Sequence, residues 1–442
     1  MEAKIVSRSF PKPVGRLVRP AGFAVMAVAA LLAGVAGQPA AATVTAVQVG
    51  IHTATPQWIS SAGERPAQHL IGMLQSAHLD GLDASRFKIS ALKRAVIAAE
   101  TGGFGAADKA NAMLNEALVS YVRALRTAPT RDWIVNDRGA IPAVPAADEL
   151  LADAARAPSL EAWLKAMPFM HPSYAELRRA LARSETLGER QSADLLRLNL
   201  ERVRLLPADG RYVLVNTAAQ KLYMYEDGRV VDEMRVVVGK AHQPTPMMAA
   251  TIKFTALNPY WQVPADLAAE RIAPHVVRHG LSYLTDNGYV LLSDWSENAQ
   301  PADPAAVDWE AVAAGKTLVR LRQEPGPGNA MGRMKFMFPN PQGIYLHDTP
   351  NKELLHEDAR LFSGGCVRLE DAPRLARWIY GRPLSWEGAM VEQPVNLPEP
   401  MPVYLVYQTA VPSGGDIVFY QDIYGKDRSM LAGSSADQVA VR

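Results

Sequence analysis

The sequence predicts an α+β protein: an α-helical N-terminal scaffold followed by a mainly β domain that carries a small mixed insert. Up to about Leu206 apolar residues recur at helical spacing, whereas from about Asp209 the period falls to two. The second half also holds most of the Pro and Gly turn signals, which cut its strands short.

In the first half, "PAQHLIGMLQSAHLDGL" sets Leu70, Met73 and Leu74 on one helical face, and "DASRFKISALKRAVIAAE" and "DKANAMLNEALVSYVRALRT" repeat the pattern. "PSLEAWLKAM", "SYAELRRALARSE" and the charged "QSADLLRLNLERVRLL" complete a helical region with no concentrated chemistry. After the change of period, "KLYMYE" and "RVVDEMRVVVG" flank Asp227-Gly228, a hairpin turn signal. "ATIKFTALNPYWQVP" is a further strand stopped by prolines. Residues 265–316 form a mixed insert with one helix ("DLAAERIAPHVVRHG") and a short strand ("YVLLSDW"). Strands resume at "TLVRLRQEPGPGNAMGRMKFMFPN" and "GIYLH". "PRLARWIYG" is a helix that Gly381 can cap, and "MPVYLVYQTAV" with "GDIVFYQDIYG" is expected as a last hairpin. The expected division is a signal at 1–42, a helical domain at 43–206, a β domain at 207–428 and a disordered polar tail at 429–442.

The 46 basic and 45 acidic residues nearly cancel, and no basic stripe with interleaved aromatics is present, which argues against nucleic acid as a partner. The N-terminus has the basic, apolar and small-residue order of a secretory signal: "MEAKIVSRSFPKPVGRLVRP", then "AGFAVMAVAALLAGVAG", then "QPAAAT". An exported, periplasmic protein is therefore expected, with membrane attachment only if the signal stays uncleaved.

Export sharpens the meaning of Cys366, the one cysteine. Exported cysteines usually pair, so an unpaired one points to a reactive thiol or an intermolecular bond, or else to a small buried hydrophobe. Its setting, "FSGGCVR", favours reactivity. A thiol becomes nucleophilic as the thiolate, and a neighbouring histidine can accept its proton. His347 ends a short apolar strand, a rigid mount for a base, whereas His356 lies in a polar connection and reads as a surface residue. Asp348 can orient the His347 imidazole, through its side chain or its carbonyl. Gly364 and Gly365 precede the cysteine. Their freedom in φ lets successive backbone N–H groups converge on a developing oxyanion, although a Gly-Gly pair also makes ordinary turns. Arg368, two residues on, shares the face of Cys366 in a strand. It can lower the thiol pKa or bind a substrate carboxylate.

Strand–"HDTP"–connection–"FSGGCVR" resembles the active-site signature of the L,D-transpeptidase catalytic domain, the YkuD domain, and more narrowly its YcbB-like subfamily. "VVVGKAHQPTP", "NPYWQVP", "RQEPGPGNAMGRMKFMFPN", "YLHDTP" and "PMPVYLVYQTA" agree in order, so the likeness runs from Arg211 to about Asp427. The resemblance implies a β catalytic domain whose insert caps the substrate cleft, with no cofactor and no metal. It implies a cysteine that attacks a peptidoglycan tetrapeptide stem, expels the terminal D-alanine and passes the acyl group to a second stem, giving a 3–3 crosslink. Donor and acceptor stem peptides are then the partners, and carbapenem-type compounds are expected covalent inhibitors. By the same likeness Tyr345 and Arg368 line the site, with Asn329 and Trp261 as further substrate-binding candidates. Many members have a histidine where Gly364 stands, but an oxyanion role needs only the backbone there. The subfamily's peptidoglycan-binding module is missing, since only "RSETLGERQSA" separates the last two scaffold helices. L,D-carboxypeptidation or another peptidoglycan amide exchange, or a non-catalytic wall-binding scaffold, are the alternative readings.

Three other signals are set aside. "SALK" (Ser90–Lys93) has the S-x-x-K spacing but lacks its companion motifs. "HVVRH" puts His275 and His279 one turn apart without a zincin glutamate or a third ligand. "VGK" lacks the glycine frame of a phosphate loop.

Overall fold

The computed structural model describes residues 55–59, 64–128, 132–296 and 298–432. The expected signal at 1–42 and the end of the expected tail, 433–442, lie outside the described residues. Among the described residues, seven α-helices make the scaffold: α1 (Pro66–Gln75), α2 (Ile89–Glu100), α3 (Ala106–Thr127), α4 (Ala147–Arg156), α5 (Leu160–Ala166), α6 (Ser173–Leu187) and α7 (Arg190–Val203). On α3, Leu114, Leu118, Tyr121 and Leu125 recur at three- and four-residue spacing, and each is fully buried. Such side chains contribute about 1.5–3 kcal/mol each. The bundle is also tied by a buried carboxylate. Asp80 accepts hydrogen bonds from Tyr121 Oη (2.7 Å), Tyr174 Oη (3.1 Å) and Arg178 Nε (2.9 Å). Between α6 and α7 stand only Gly188 and Glu189, and Gly188 closes α6 with φ +73°.

The scaffold half is not purely helical. A two-residue strand, β1 (Ile134–Val135), pairs in parallel with a strand of the second half. That half supplies β2 (Tyr212–Asn216), β3 (Lys221–Glu226), β4 (Arg229–Gly239), β5 (Met248–Leu257), β6 (Trp261–Val263), β7 (Tyr289–Leu291), β8 (Leu321–Gln323), β9 (Met334–Met337), β10 (Leu346–His347), β11 (Leu361–Ser363), β12 (Val367–Leu369), β13 (Gln393–Val406), β14 (Ala410–Ser413) and β15 (Asp416–Phe419). The main sheet runs β1-β5-β13-β2-β3-β4-β12-β10-β9, and β9 pairs back onto β5. The path from β5 to β9 therefore closes on itself, which removes the open edges that invite aggregation. The turn between β3 and β4 is Asp227-Gly228 as expected, with φ of +46° and +74°. Alternation sends Val213, Val215, Met248, Ala250, Phe336, Leu346 and Val367 into one core, against Leu375 and Ile379. Tyr212, Leu214, Tyr404 and Val406 pack instead with the scaffold helices.

Two expectations change here. The segment "MPVYLVYQTAV" does not form one arm of a hairpin. Its first part belongs to β13, which lies between β2 and β5, and the hairpin is the shorter pair β14–β15 turning at Gly414-Gly415. The insert is also larger than 265–316. Its own three-stranded sheet, β6-β8-β7, begins at Trp261 and ends at Gln323. The lobe has a separate core of Val263, Leu267, Ile272, Val276, Leu291, Trp309 and Leu321. Its helical stretch comprises α8 (Ala265–Leu267), a π turn (Ala268–Ile272) and α9 (Ala273–His279). Pro274 accounts for the widening, because it has no N–H to offer the preceding turn. Two short helices, α10 (Ser282–Asp286) and α11 (Trp309–Ala313), complete the lobe, and α12 (Ala372–Tyr380) follows β12. Part of the expected tail is ordered: residues 426–432 are helical.

Candidate active site

The geometry starts from strand register. In the parallel pair β10–β12, Leu346 faces Val367 and His347 faces Arg368. Leu346 and Val367 are fully buried in the barrel core, so their neighbours His347 and Arg368 turn to the opposite face. Cys366 and Tyr345 precede the paired residues and share that face, and the Val367 N–H donates to Tyr345 O (2.9 Å). The sheet thus brings Cys366, His347, Arg368 and Tyr345 onto one patch.

His347 is 2% exposed. Its Nδ1 lies 2.6 Å from Asp348 O. A carbonyl only accepts, so Nδ1 carries the proton and Nε2 keeps its lone pair. Burial first, and then the Arg368 guanidinium, hold the imidazole pKa down to about 3, against a smaller upward pull from Asp348. The ring is a neutral base throughout the physiological range. The open question about Asp348 is resolved in favour of its carbonyl. Its carboxylate is held elsewhere, by Lys352 Nζ (2.7 Å) and the Arg333 N–H (3.0 Å). Gly332, at φ +64°, leaves room for it: a Cβ there would meet Asp348 Oδ2 at 2.4 Å.

Cys366 is partly exposed. Its thiol donates to Gly343 O (3.5 Å) rather than to the His347 ring. Burial pushes the thiol pKa up, and the Tyr345 backbone N–H, Arg368 and Lys335 pull it back. Arg368 is itself brought down to about 10, chiefly by burial and then by Arg271. Arg271 comes from the π turn of the insert and donates to Phe362 O (2.9 Å), so the insert reaches over the strand that leads to the cysteine.

The glycine loop is held tightly. Thr245 Oγ1 donates to Gly365 O (2.7 Å) and accepts the Gly239 N–H (2.9 Å). The Gly365 N–H donates to Ser363 Oγ (3.1 Å), so it is already engaged. Among the described residues, the N–H groups of Gly364 and Cys366 have no intramolecular acceptor. Gly365 sits at φ +115°, a conformation that favours glycine, and a Cβ there would meet Ile344 Cδ1 at 2.9 Å. A Cβ on Gly364 would press Leu267 of the insert at 3.2 Å.

One of the two further substrate-binding candidates is corrected. Asn329 is 1% exposed, and its side chain is consumed by backbone. Nδ2 donates to Pro259 O (3.1 Å), Gln323 O (3.2 Å) and Glu324 O (3.0 Å), and Oδ1 accepts the Met331 N–H (2.7 Å). With its amide used to fix the Gly/Pro loop, nothing remains for a substrate. Trp261 belongs to the insert sheet, where it pairs with Gln323 and packs toward Tyr289, with ring centroids 6.3 Å apart. Its indole is half-buried on the lobe that reaches toward the cysteine patch through Arg271.

With this geometry in hand, two family models match the chain: an L,D-transpeptidase catalytic domain (YkuD) over residues 210–403 and a Scaffold domain over residues 52–181. The chain carries an L,D-transpeptidase catalytic domain. A curated Haemophilus influenzae protein named "Putative L,D-transpeptidase" is 33% identical over 252 residues, 55% of this chain and 50% of that protein. The chain thus matches about half the length of that curated relative. Among solved structures, an L,D-transpeptidase from Mycobacterium smegmatis is similar at 16% identity, over 44% of this chain and 58% of its own, with a TM-score of 0.20. An LD transpeptidase, LdtMt1, in complex with imipenem is similar at 13% identity, over 45% and 59%, with a TM-score of 0.22.

The transpeptidase domain also contains residues that reasoning from the sequence passed over. Thr245 and Arg271 are two, and Lys335 is the third. Antiparallel register sets Lys335 directly across from His347, and its Nζ lies 4.9 Å over the Tyr345 ring. A lysine at an alternate position of the apolar strand "MKFM" was the available signal.

Proposed function

We propose that the protein is an exported cysteine acyltransferase that forms 3–3 crosslinks between peptidoglycan stems, of the YcbB-like kind. The observation that carries this reading is the shared face of Cys366 and a buried, neutral His347 whose proton is fixed on Nδ1. In the proposed reaction, His347 Nε2 takes the Cys366 proton and the sulfur attacks the carbonyl after the third stem residue. The S–C bond forms, the C–N bond to the terminal D-alanine breaks, and the departing amine takes the proton back from His347. The N–H groups of Gly364 and Cys366 are the proposed donors to the oxyanion, in place of Gly365. An amine of a second stem then displaces the thioester. Tyr345 and Arg368 line the donor side, and the insert covers it. The same thiol is the proposed target of carbapenem-type inhibitors. Export rests on the N-terminal signal order, and cell fractionation tests it.

The test is incubation of the protein with purified disaccharide-tetrapeptide, followed by analysis of the muropeptides. The expected products are free D-alanine and a dimer joined 3–3, both absent with Cys366→Ala and Cys366→Ser proteins that remain folded. Tripeptide monomers alone would make it a carboxypeptidase. A Cys366→Ser protein with near-normal turnover would contradict the mechanism.

A further inference from the structure

Lys335 is an unusual residue to find on β9. Its neighbours Met334 and Phe336 are fully buried, and its own side chain is only 13% exposed. A buried ammonium is costly unless paired and hydrogen-bonded. Here the pairing is thin: Glu392 Oε1 stands 3.9 Å from Nζ, beyond hydrogen-bond length, and the Tyr345 ring lies beneath at 4.9 Å. No hydrogen bond from Nζ to a described residue satisfies it. Its position is nonetheless over-determined. β9 is clamped between β10 and β5, with Lys335 opposite His347 on one side and Ala256 on the other.

Glu392 is held with similar insistence. It adopts φ +52°, strained for a side-chain-bearing residue, and its N–H donates to Asn258 O (3.0 Å). Asn258 is itself at φ +46°, and its Nδ2 donates to Trp386 O (2.9 Å) and Ala389 O (3.1 Å). Two strained residues meet where one carboxylate is brought near one buried lysine. The charged and titratable groups around this patch are Lys335, Glu392, Tyr345, His347, Asp348, Arg368 and Cys366, with Arg271 behind Arg368.

We propose that Lys335 is an electrostatic positioning residue for the nucleophile: a fixed positive charge that stabilises the Cys366 thiolate, seated on the Tyr345 ring and moderated by Glu392. This rests on Cys366 being the nucleophile. When His347 takes the thiol proton, the imidazolium forms in a buried site already facing Arg368 and Lys335, and it is a poor long-term partner for the sulfur. A lysine whose hydrogen-bonding capacity is unfilled supplies the missing counter-charge without moving a proton. The same field makes the imidazolium a stronger acid, so it returns its proton readily to the departing amine. Lys335 keeps all its protons throughout. Burial lowers its own pKa, and Glu392 and Cys366 offset only part of that fall.

The experiment measures the rate of Cys366 alkylation by iodoacetamide across pH 6 to 10, in the full chain and its variants, with thermal melting alongside. Lys335→Met is expected to move the profile to higher pH and to slow alkylation at pH 7.5 by about 3- to 10-fold. Lys335→Arg restores most of the rate, and Glu392→Gln moves the profile to lower pH. An unchanged profile in a folded Lys335→Met protein, or a Glu392→Gln shift in the same direction as Lys335→Met, would overturn the proposal. If Lys335→Met fails to fold, Lys335→Arg and Glu392→Gln still decide it: a Glu392→Gln profile at or above the wild-type pH overturns it. Alkylation reads the thiol without any peptidoglycan substrate. Failure of this proposal is therefore distinguishable from failure of the transpeptidase reading, which the muropeptide products report.

Discussion

At the scale of the residue, His347 decides the pH behaviour of the chemistry. Its imidazole, lowered to about 3 by burial and by Arg368, is already in its basic form at pH 5. Acylation by a substrate should therefore show no step near the ordinary histidine value of about 6.5. A stopped-flow acylation profile between pH 5 and 8 checks this, and an inflection between 6 and 7 that vanishes in His347→Gln would contradict it. Asn329 makes the opposite kind of prediction. Because its amide serves only backbone, Asn329→Ala should lower stability by about 2–4 kcal/mol, read by urea denaturation. A folded variant of wild-type stability with a raised KM would restore it as a substrate contact. That Cys366 and Arg368 share one face, with His347 at a strand end, was legible in the sequence because each stands in a short motif with strand alternation. Lys335 was not, because its meaning lies in a pairing between strands that only register reveals.

At the scale of the element, the β11–β12 turn is the most constrained piece of the site. Gly365 at φ +115° lies between Ser363 Oγ, Thr245 Oγ1 and Ile344. Gly365→Ala should displace the cysteine and cost about 10²-fold in acylation, measured by intact mass after a short exposure to substrate, and near-wild-type acylation would contradict the account of the turn. Period alone identified β3, β4, α3 and α12, where one face is continuously apolar. It mispaired the C-terminal hairpin, since "PVYLV" is apolar at every position and reads the same in a central strand or a hairpin arm. It also placed the insert boundaries too narrowly. β6 and β8 have three residues each, too few to show alternation, and they are strands because they pair with each other and with β7.

At the scale of the whole molecule, the scaffold and the barrel share buried polar ties that neither would satisfy alone. Arg202 on α7 pairs with Asp427 at 2.6 Å, both nearly inaccessible, and Thr409 Oγ1 donates to the same carboxylate. The Thr409 N–H donates to Asn199 Oδ1 (2.8 Å). His171 packs against Tyr212 and Tyr225 of the barrel, with centroids 6.4 Å and 5.4 Å away, and burial holds its pKa down to about 3. The unfolded chain takes a proton on this histidine near pH 6.5 and the folded chain does not, so stability falls as pH drops from 6.5 toward 3. Urea denaturation at several pH values should show His171→Phe losing up to about 1.4 kcal/mol per pH unit of that slope, while an unchanged slope would contradict the assignment. The activity of the whole chain turns on whether the cysteine of the barrel does the chemistry. The most direct test is intact-mass spectrometry of the full chain with tetrapeptide stems: the predicted result is a single acyl adduct on Cys366 with D-alanine released, absent in Cys366→Ala. Continued release of D-alanine by folded Cys366→Ala would contradict it.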